Sequence, residues 1–338
     1  MTPEVHPGRR ETDEPVAGTA DRRAPRPIGR TGLTASPLTV GTAGWRHWPD
    51  GSGPTRAQTA ELVRRLRADH RITVLDTSNN YGEGESETRI GAALAEAGGA
   101  APGVLVQTKA DRHFITGDFS GARMRDSLRE SLDRLRLERL PMCYLHDPEH
   151  APYAEICGSG GAVEALVAAR DEGLVEHLGV AGGPTRMLRE LVATGHFEAV
   201  ITHNRWTLVD RSADALLDAA AERGLGVFNA APYGGGLLTR WPLASTRYAY
   251  GQAPPALLSA ADAIGRLCAE AGVPPAAAAL QWSMRDTRIT STIVGVAGLE
   301  HYQRTLELAD VEIEDGLWAE IEAIPLDDRT WQDAPAAR

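Results

Sequence analysis

Four residues that can together move a proton follow one another along the chain as Asp76, Tyr81, Lys109 and His146. A free tyrosine titrates at about pH 10, which makes it a poor acid or base at neutral pH. A nearby lysine stabilises the phenolate and is expected to lower that pKa, while a carboxylate keeps the buried ammonium charged and oriented. A neutral histidine would donate a hydrogen bond to a substrate oxygen. The set predicts proton exchange with an alcohol or carbonyl oxygen.

The same residues lie at the ends of predicted strands. Asp76 ends the segment "ITVLDTS", and Tyr81 follows in the loop. Lys109 ends "GVLVQTK", and His146 ends "MCYLHD". The carboxyl ends of consecutive strands in a parallel barrel lie on one face. We therefore expect the four side chains to converge there.

The elements that must position them are eight short apolar segments rich in valine, isoleucine and leucine, which is typical of strands buried on both faces of a parallel sheet. They are "LTVGTA" from Leu38, "ITVLDTS" from Ile72, "GVLVQTK" from Gly103, "MCYLHD" from Met142, "HLGVAG" from His177, "AVITHN" from Ala199, "GVFNAA" from Gly226 and "STIVGV" from Ser291.

Helical patterns separate these segments; one opens with the capping box Thr55-x-x-Gln58. Alternating strands and helices predict an α/β protein with a (β/α)8 TIM barrel. The segment "IGRTGLTASP" is predicted to be an N-terminal β-hairpin cap, and an extra C-terminal helix is predicted near Asp315. An open doubly wound sheet is the alternative. No strand is followed by GxGxxG, however, so a Rossmann nucleotide site is not supported.

Composition restricts the class of partner. The chain has 338 residues, is 42% apolar and carries a formal net charge of −11. An acidic protein of this kind is not expected to bind nucleic acid or an anionic membrane. No apolar run approaches the ~20 residues that a spanning helix requires.

We divide the chain into three parts. Residues 1–27 are polar and proline-rich, lack the apolar segment of a secretory signal and are predicted to be a disordered tail. Residues 28–326 form one barrel domain, and residues 327–338 form a C-terminal tail. Cys143, Cys157 and Cys268 are odd in number and lack CxxC spacing. We therefore expect a reducing cytoplasm.

Five segments resemble the aldo-keto reductase superfamily in order and spacing: "LDTSNNYG", "VQTKA", "CYLHDPE", "FNAAPYGGGLLT" and "TIVGVAG". The resemblance covers roughly residues 28–324. It implies that Asp76, Tyr81, Lys109 and His146 are a catalytic tetrad. It also implies hydride transfer between NAD or NADP and a carbonyl or alcohol, with Tyr81 as general acid in reduction and base in oxidation.

Within that superfamily, "NRWTL" and "FNAAPYGGGLL" are most similar to D-threo-aldose (L-fucose or L-galactose type) 1-dehydrogenases and pyridoxal dehydrogenases. This similarity implies an aldose, a small aldehyde or a ketone as substrate. The implied cofactor-binding positions are Gly41, Thr42, Ala181, Gly182, Asn204, Ala231, Pro232, Tyr233, Gly234, Gly236, Leu237, Gly295, Val296, Ala297 and Arg304.

Several of these positions depart from the superfamily pattern. Ala181 and Gly182 replace the usual serine and asparagine, and His203 or Asn204 replaces a glutamine. After the last strand only His301 and Arg304 are available for a 2′-phosphate, which typically recruits arginine or lysine. We therefore expect NAD to be at least as suitable as NADP.

Aromatic residues in the loops after the strands have two explanations. Trp45, Trp48 and Trp206 are predicted to form a substrate wall or, alternatively, to pack on the barrel rim. A metal is not expected, because the spacing of His146, Asp147, Glu149 and His150 is poor for ligand convergence. The competing functions are a regulatory or scaffold protein that binds the cofactor without useful turnover, and a metal-dependent barrel hydrolase. The first strand lacks the HxH of such hydrolases.

Overall fold

A short hairpin precedes the main sheet. The structure, a computed structural model, describes residues 23–48, 50, 53–99 and 103–334. Strand β1 (Arg26–Pro27) pairs antiparallel with β2 (Thr34–Ala35). Ile28 between them is fully buried in the cluster that fills the barrel interior. A Cβ on Gly29 would lie 2.5 Å from the backbone nitrogen of Gly226 at the start of a barrel strand. The predicted hairpin cap is confirmed, and it closes the amino-terminal end of the barrel.

All eight predicted strands form one closed parallel barrel. The first seven are β3 (Leu38–Gly41), β4 (Val74–Asp76), β5 (Leu105–Ala110), β6 (Leu140–His146), β7 (Val175–Gly182), β8 (Ala199–His203) and β9 (Gly226–Ala230). A second, unpredicted hairpin of β10 (Arg247–Tyr248) and β11 (Gly251–Gln252) follows. Strand β12 (Ser291–Gly295) then pairs with both β9 and β3, which closes the barrel and excludes the open sheet.

Helices surround the barrel. They are α1 (Arg56–Asp69), α2 (Glu85–Glu96), α3 (Gly121–Leu135), α4 (Tyr153–Ile156), α5 (Ala162–Asp171), α6 (Thr185–Val192), α7 (Asp214–Glu222), α8 (Pro255–Glu270), α9 (Pro275–Arg285), α10 (Leu299–Asp310) and α11 (Asp315–Glu322). The Thr55–Gln58 capping box at the start of α1 is confirmed, as is the extra C-terminal helix, α11. No helix in the described ranges is long and apolar enough to cross a membrane.

Residue alternation along the strands places the polar side chains at one end of the barrel. In β6, Met142 and Tyr144 fill the interior, and His146 follows on the same face at the mouth. Gly179 makes room for this arrangement, because a Cβ there would meet the Tyr144 ring at 2.3 Å. The hydroxyl of Tyr144 donates to Gln107 Oε1 at 3.0 Å. The barrel interior is thus apolar near the amino-terminal ends of the strands and increasingly polar toward their carboxyl ends.

Both predicted tails lie partly outside the described residues. Residues 1–22 and 335–338 are not described, but Arg26–Pro27, assigned to the first tail, form β1. The described part of the C-terminal tail packs against the barrel. The carboxylate of Asp333 forms an ion pair with Arg205 Nε at 3.0 Å and accepts from the backbone N–H of Thr185 at 2.6 Å. The tail is thereby joined to the loops after β7 and β8.

Candidate active site

A cavity of about 470 Å³ opens at the carboxyl ends of the barrel strands. All four residues predicted to be catalytic line it, and they come from β4 and its loop, β5 and β6. Of the predicted cofactor-binding residues, five line the same cavity: Gly41, Ala181, Gly182, Ala231 and Gly295. The four side chains therefore converge at the expected end of the barrel, and their catalytic role stays a prediction.

Lys109 is the centre of the polar network. Its side chain is 3% exposed, and its Nζ donates to Asp76 Oδ2 at 2.8 Å, to the backbone oxygen of Thr77 at 2.7 Å and to the Tyr81 hydroxyl at 3.2 Å. Gln107 Nε2 donates to the other carboxylate oxygen of Asp76 at 2.9 Å. All three ammonium protons thus have acceptors, and both carboxylate oxygens have donors, as a buried ion pair requires.

A second network holds the loop that carries Tyr81. Asn79 accepts from Arg123 Nη2 at 3.0 Å and donates to Glu130 Oε2 at 3.0 Å. Arg134 donates to the backbone oxygen of Asn79 at 3.0 Å. These contacts join the loop to α3. Tyr81 lies two residues after Asn79, so we expect the same network to limit the movement of its ring.

Burial changes the predicted acidity of Tyr81. Desolvation raises the pKa of Tyr81 to about 12 and outweighs the lowering caused by the charge of Lys109. The predicted net lowering of this pKa is therefore wrong, although Lys109 acts in the predicted direction. Burial lowers the pKa of Lys109, but the charge of Asp76 together with the charge interaction with Tyr81 and the hydrogen bonds to both side chains outweighs it, so the net pKa is raised. The phenol is protonated at neutral pH, and the ammonium is charged.

Asp111, a further carboxylate beside the site, was not predicted from the sequence. This carboxylate is buried beside His146, with Oδ1 2.6 Å from the histidine Nδ1. Burial lowers the pKa of His146, but the charges of Asp111 and then Asp147 outweigh it, so the pKa lies above its usual value. The sequence did contain a signal for Asp111. Gln107, Lys109 and Asp111 occupy every second position, so an extended chain places all three side chains on the same face as Lys109.

Other polar and aromatic residues of the wall come from the end of β8, the loop after β6 and the β10–β11 hairpin. His203 stands edge-on to Tyr250, with ring centroids 5.8 Å apart, and both line the cavity with Glu149. Burial and then the charge of Arg205 lower the pKa of His203 to about 4, so its ring is neutral. Tyr250 was not predicted, because it lies between β10 and β11, a hairpin without strong local sequence signals.

The other predicted cofactor residues lie outside the cavity wall. Thr42 is buried and its hydroxyl donates to the backbone oxygen of Asp76 at 2.8 Å, which makes it a support for β4. Val296 is also buried, and its backbone oxygen accepts from Trp45. Five more predicted residues lie in the turn and short 3-10 helix that follow β9: Pro232, Tyr233, Gly234, Gly236 and Leu237. Asn204 is buried beside His203, whereas Ala297 and Arg304 lie after β12, where Arg304 pairs with Glu307 at 3.3 Å.

The three tryptophans do not line this cavity. Trp45 is 1% exposed, and its Nε1 donates to the backbone oxygen of Val296 at 2.7 Å. Trp206 is 7% exposed and packs on Trp282, with ring centroids 6.1 Å apart. Trp48 is half-buried under the guanidinium of Arg46. The structure favours the packing explanation over the predicted substrate wall, because large indoles are most stable where surrounding side chains cover them.

The described residues contain no group of three or more His, Cys, Asp or Glu that could hold a metal ion. His146, Asp147, Glu149 and His150 line one cavity but do not converge on a point. The hydrolase alternative therefore has no metal centre in the described part of the chain.

Comparison with known proteins gives consistent results. Residues 37–325 match the model of the Aldo/keto reductase family. A D-threo-aldose 1-dehydrogenase of a Pseudomonas species is 31% identical over 302 residues, which cover 78% of this chain and 91% of that protein. An L-galactose dehydrogenase of Arabidopsis thaliana is 29% identical, with 90% of this chain and 96% of that protein covered.

Solved structures show the same fold. An aldo-keto reductase of Bacillus halodurans, solved in its holo form, superposes with a TM-score of 0.73 at 18% identity, covering 92% of this chain and 99% of that one. A second solved chain, from Pseudomonas aeruginosa and titled a putative aldo-keto reductase, has a TM-score of 0.61 at 22% identity, with coverage of 85% and 94%. At these identities the likeness concerns the fold.

Proposed function

The chain belongs to the aldo/keto reductase family and is an oxidoreductase, and from this premise we propose that it transfers hydride between NAD or NADP and a small carbonyl or alcohol, with Tyr81 exchanging the proton. The substrates we propose are aldoses, small aldehydes and ketones. The observation that supports this most strongly is the hydrogen-bonded series Asp76, Lys109 and Tyr81 on the wall of the cavity.

In the proposed reaction the nicotinamide supplies the hydride when the cofactor is bound. Tyr81 carries the proton that the new alcohol oxygen requires, and its raised pKa keeps that proton available across the neutral range. Lys109 lies 3.2 Å from the phenol oxygen and stabilises the negative charge that forms there when the proton leaves. Asp76 holds the ammonium in place. This arrangement favours carbonyl reduction at neutral pH and alcohol oxidation at higher pH.

The residues present fit a nicotinamide dinucleotide. The buried Oδ1 of Asn204 has no partner and is suited to accept from a carboxamide N–H. A Cβ on Gly236 or on Gly295 would meet nothing within 4 Å, so the backbone at both positions is open to close approach by a phosphate. We propose that Asn204 holds the carboxamide, that Ala231 to Leu237 and Gly295 to Ala297 line the pyrophosphate, and that Arg304 faces the adenosine ribose.

We expect NAD to be accepted with at most a modest penalty relative to NADP. Arg304 is exposed and paired with Glu307, so a 2′-phosphate would have to compete for this guanidinium. The measurement is kcat/KM with each cofactor. In the Glu307→Gln variant we expect kcat/KM with NADP to rise about two- to fivefold, because exposed ion pairs contribute at most about 1 kcal/mol. A preference of about a hundredfold for NADP in the unmodified protein would contradict this expectation.

The charge of the cavity predicts selectivity among carbonyl substrates. Asp147 and Glu149 line it, and the wall residues Lys109 and, when protonated, His146 are paired with Asp76 and Asp111. We expect glyceraldehyde and pyridoxal to be used with a kcat/KM about tenfold or more above that of their phosphate esters, since like charges repel. Glu149→Gln removes one negative charge and should reduce the difference in kcat/KM between each carbonyl and its phosphate ester. An equal kcat/KM for each carbonyl and its phosphate ester would contradict the prediction.

The proposed function itself is tested by a panel of aldoses, pyridoxal and ketones followed by cofactor absorbance. Turnover of any member supports an oxidoreductase of this substrate class. Tight cofactor binding without hydride transfer across the whole panel would instead favour the regulatory or scaffold alternative.

A further inference from the structure

Asp111 has contacts that a merely structural carboxylate would not need. It lies one residue beyond the end of β5, and it is 4% exposed. One oxygen is 2.6 Å from His146 Nδ1. The other accepts from the backbone N–H of Asn80 at 3.0 Å and from the hydroxyl of Ser78. Each of these partners of the carboxylate belongs to the wall of the candidate site or to the loop that carries Tyr81.

These contacts determine which nitrogen of His146 carries a proton. An ionised carboxylate only accepts hydrogen bonds, so Nδ1 must hold a hydrogen to bond with Asp111. The other nitrogen, Nε2, lies 3.5 Å from Asp147 Oδ1, a group of the cavity wall. A neutral imidazole has one N–H, which here is at Nδ1. The neutral donor predicted from the sequence is therefore incompatible with this geometry, because Nε2 can donate only from the imidazolium.

The groups around His146 have opposing effects on its charge. Asp111 and Asp147 favour the imidazolium, and Lys109, whose positive charge is close by, opposes it. The Tyr81 ring stands edge-on to the imidazole at 6.0 Å, and the neutral ring of His203 lines the same cavity. The net effect is a pKa raised above the usual value. The imidazolium therefore persists to a higher pH than in a free histidine.

We propose that Asp111 is a positioning residue that keeps the hydrogen of His146 on Nδ1, so that Nε2 donates to the substrate oxygen only as imidazolium and otherwise accepts. This inference rests on the proposed function. During reduction the imidazolium donates a hydrogen bond to the carbonyl oxygen, Tyr81 transfers the proton, and His146 keeps its own. During oxidation the single O–H of the alcohol donates to the Tyr81 phenolate, so the alcohol oxygen accepts from Nε2–H only while His146 is an imidazolium. His146 therefore makes carbonyl reduction fall as the pH rises through its pKa.

The tautomer can be measured without any substrate. We would record the ¹⁵N resonances of the histidine rings from pH 5 to 9 in the full chain, with His146→Gln used only to assign the signals of that ring. The expected result is protonated Nδ1 and unprotonated Nε2 in the neutral form. A neutral ring with its hydrogen on Nε2 would overturn the proposal, whether or not any carbonyl is turned over.

Asp111→Asn is the informative variant because it is isosteric. The backbone N–H of Asn80 is a fixed donor, so the amide oxygen is expected to turn toward it, leaving the NH₂ group facing Nδ1. The neutral ring must then carry its hydrogen on Nε2. Ser78→Ala is the control: it removes a bond to the same carboxylate and the 3.2 Å contact of the Ser78 hydroxyl with Nδ1, but leaves the contact between Asp111 and Nδ1 intact. Its spectrum should show the original tautomer.

Kinetics give a second, separate readout. In the unmodified protein we expect kcat/KM for reduction to fall as the pH rises through the pKa of His146. In Asp111→Asn this pH-dependent fall in kcat/KM should disappear, because the neutral ring still carries a hydrogen on Nε2. The same pH step and the same tautomer in both proteins would overturn the proposal. A correct tautomer in a protein that turns over no carbonyl would support Asp111 as the positioning residue while rejecting the proposed function.

Discussion

Replacing Tyr81 with phenylalanine is expected to lower kcat for carbonyl reduction by about 10²- to 10⁴-fold, the usual contribution of a positioned general acid. The ring and its edge-on contact with His146 remain, but the proton held beside Lys109 is lost. The phenol is partly buried on the cavity wall and is protonated at neutral pH, so the variant loses a proton that is already positioned there. Stopped-flow measurement of a single turnover would isolate the chemical step.

The control is cofactor affinity, measured by fluorescence titration. Tyr81 donates nothing to the positions that we propose for the pyrophosphate, so the Kd of Tyr81→Phe should equal that of the unmodified protein. Its free energy of unfolding should change by only about 1 kcal/mol, the net contribution of one hydrogen bond. Full activity in this variant would reject the proton-transfer assignment.

Replacing Lys109 with methionine is expected to reduce both activity and stability. The change leaves the carboxylate of Asp76, which is 4% exposed, without its cation. Removing one partner of a buried ion pair costs about 3–5 kcal/mol, because the remaining charge is desolvated and uncompensated. Urea denaturation followed by circular dichroism would measure this loss.

The double variant Asp76→Asn/Lys109→Met separates charge from packing. With the carboxylate replaced by an amide, no uncompensated charge remains, so we expect much of the lost stability to return. Activity should not return, because no cation faces the phenol oxygen. If the double variant were as unstable as Lys109→Met alone, packing rather than the unpaired charge would be responsible.

The distances also explain why these two substitutions should differ so much in stability. Lys109 Nζ contacts three acceptors, two of them, Asp76 and the Thr77 backbone oxygen, at 2.8 Å or less. Among the described residues, the Tyr81 hydroxyl forms a hydrogen bond only with Lys109, at 3.2 Å. Lys109 is therefore part of the barrel's structure as well as of the site, whereas Tyr81 is placed by its loop and can lose its hydroxyl without disturbing β4 or β5.

The local sequence pattern determined the barrel and the positions of the tetrad. Eight apolar segments separated by helical patterns identified every barrel strand, because strand and helix periodicity depend on neighbouring residues alone. The positions of Asp76, Lys109 and His146 at the strand ends followed from the same segments. The hairpin cap and the capping box at Thr55 were equally local and were also predicted.

Only the tertiary structure decided the rest. Asp111 became a partner of His146 because β5 and β6 are adjacent, and Tyr250 reached the cavity because a distant hairpin folds over the barrel mouth. The indole of Trp206 turned toward Trp282 rather than toward the cavity. The net pKa of Tyr81 depended on how much water the complete fold removes. Desolvation and contacts between distant segments depend on the whole three-dimensional arrangement, so no single stretch of sequence contains them.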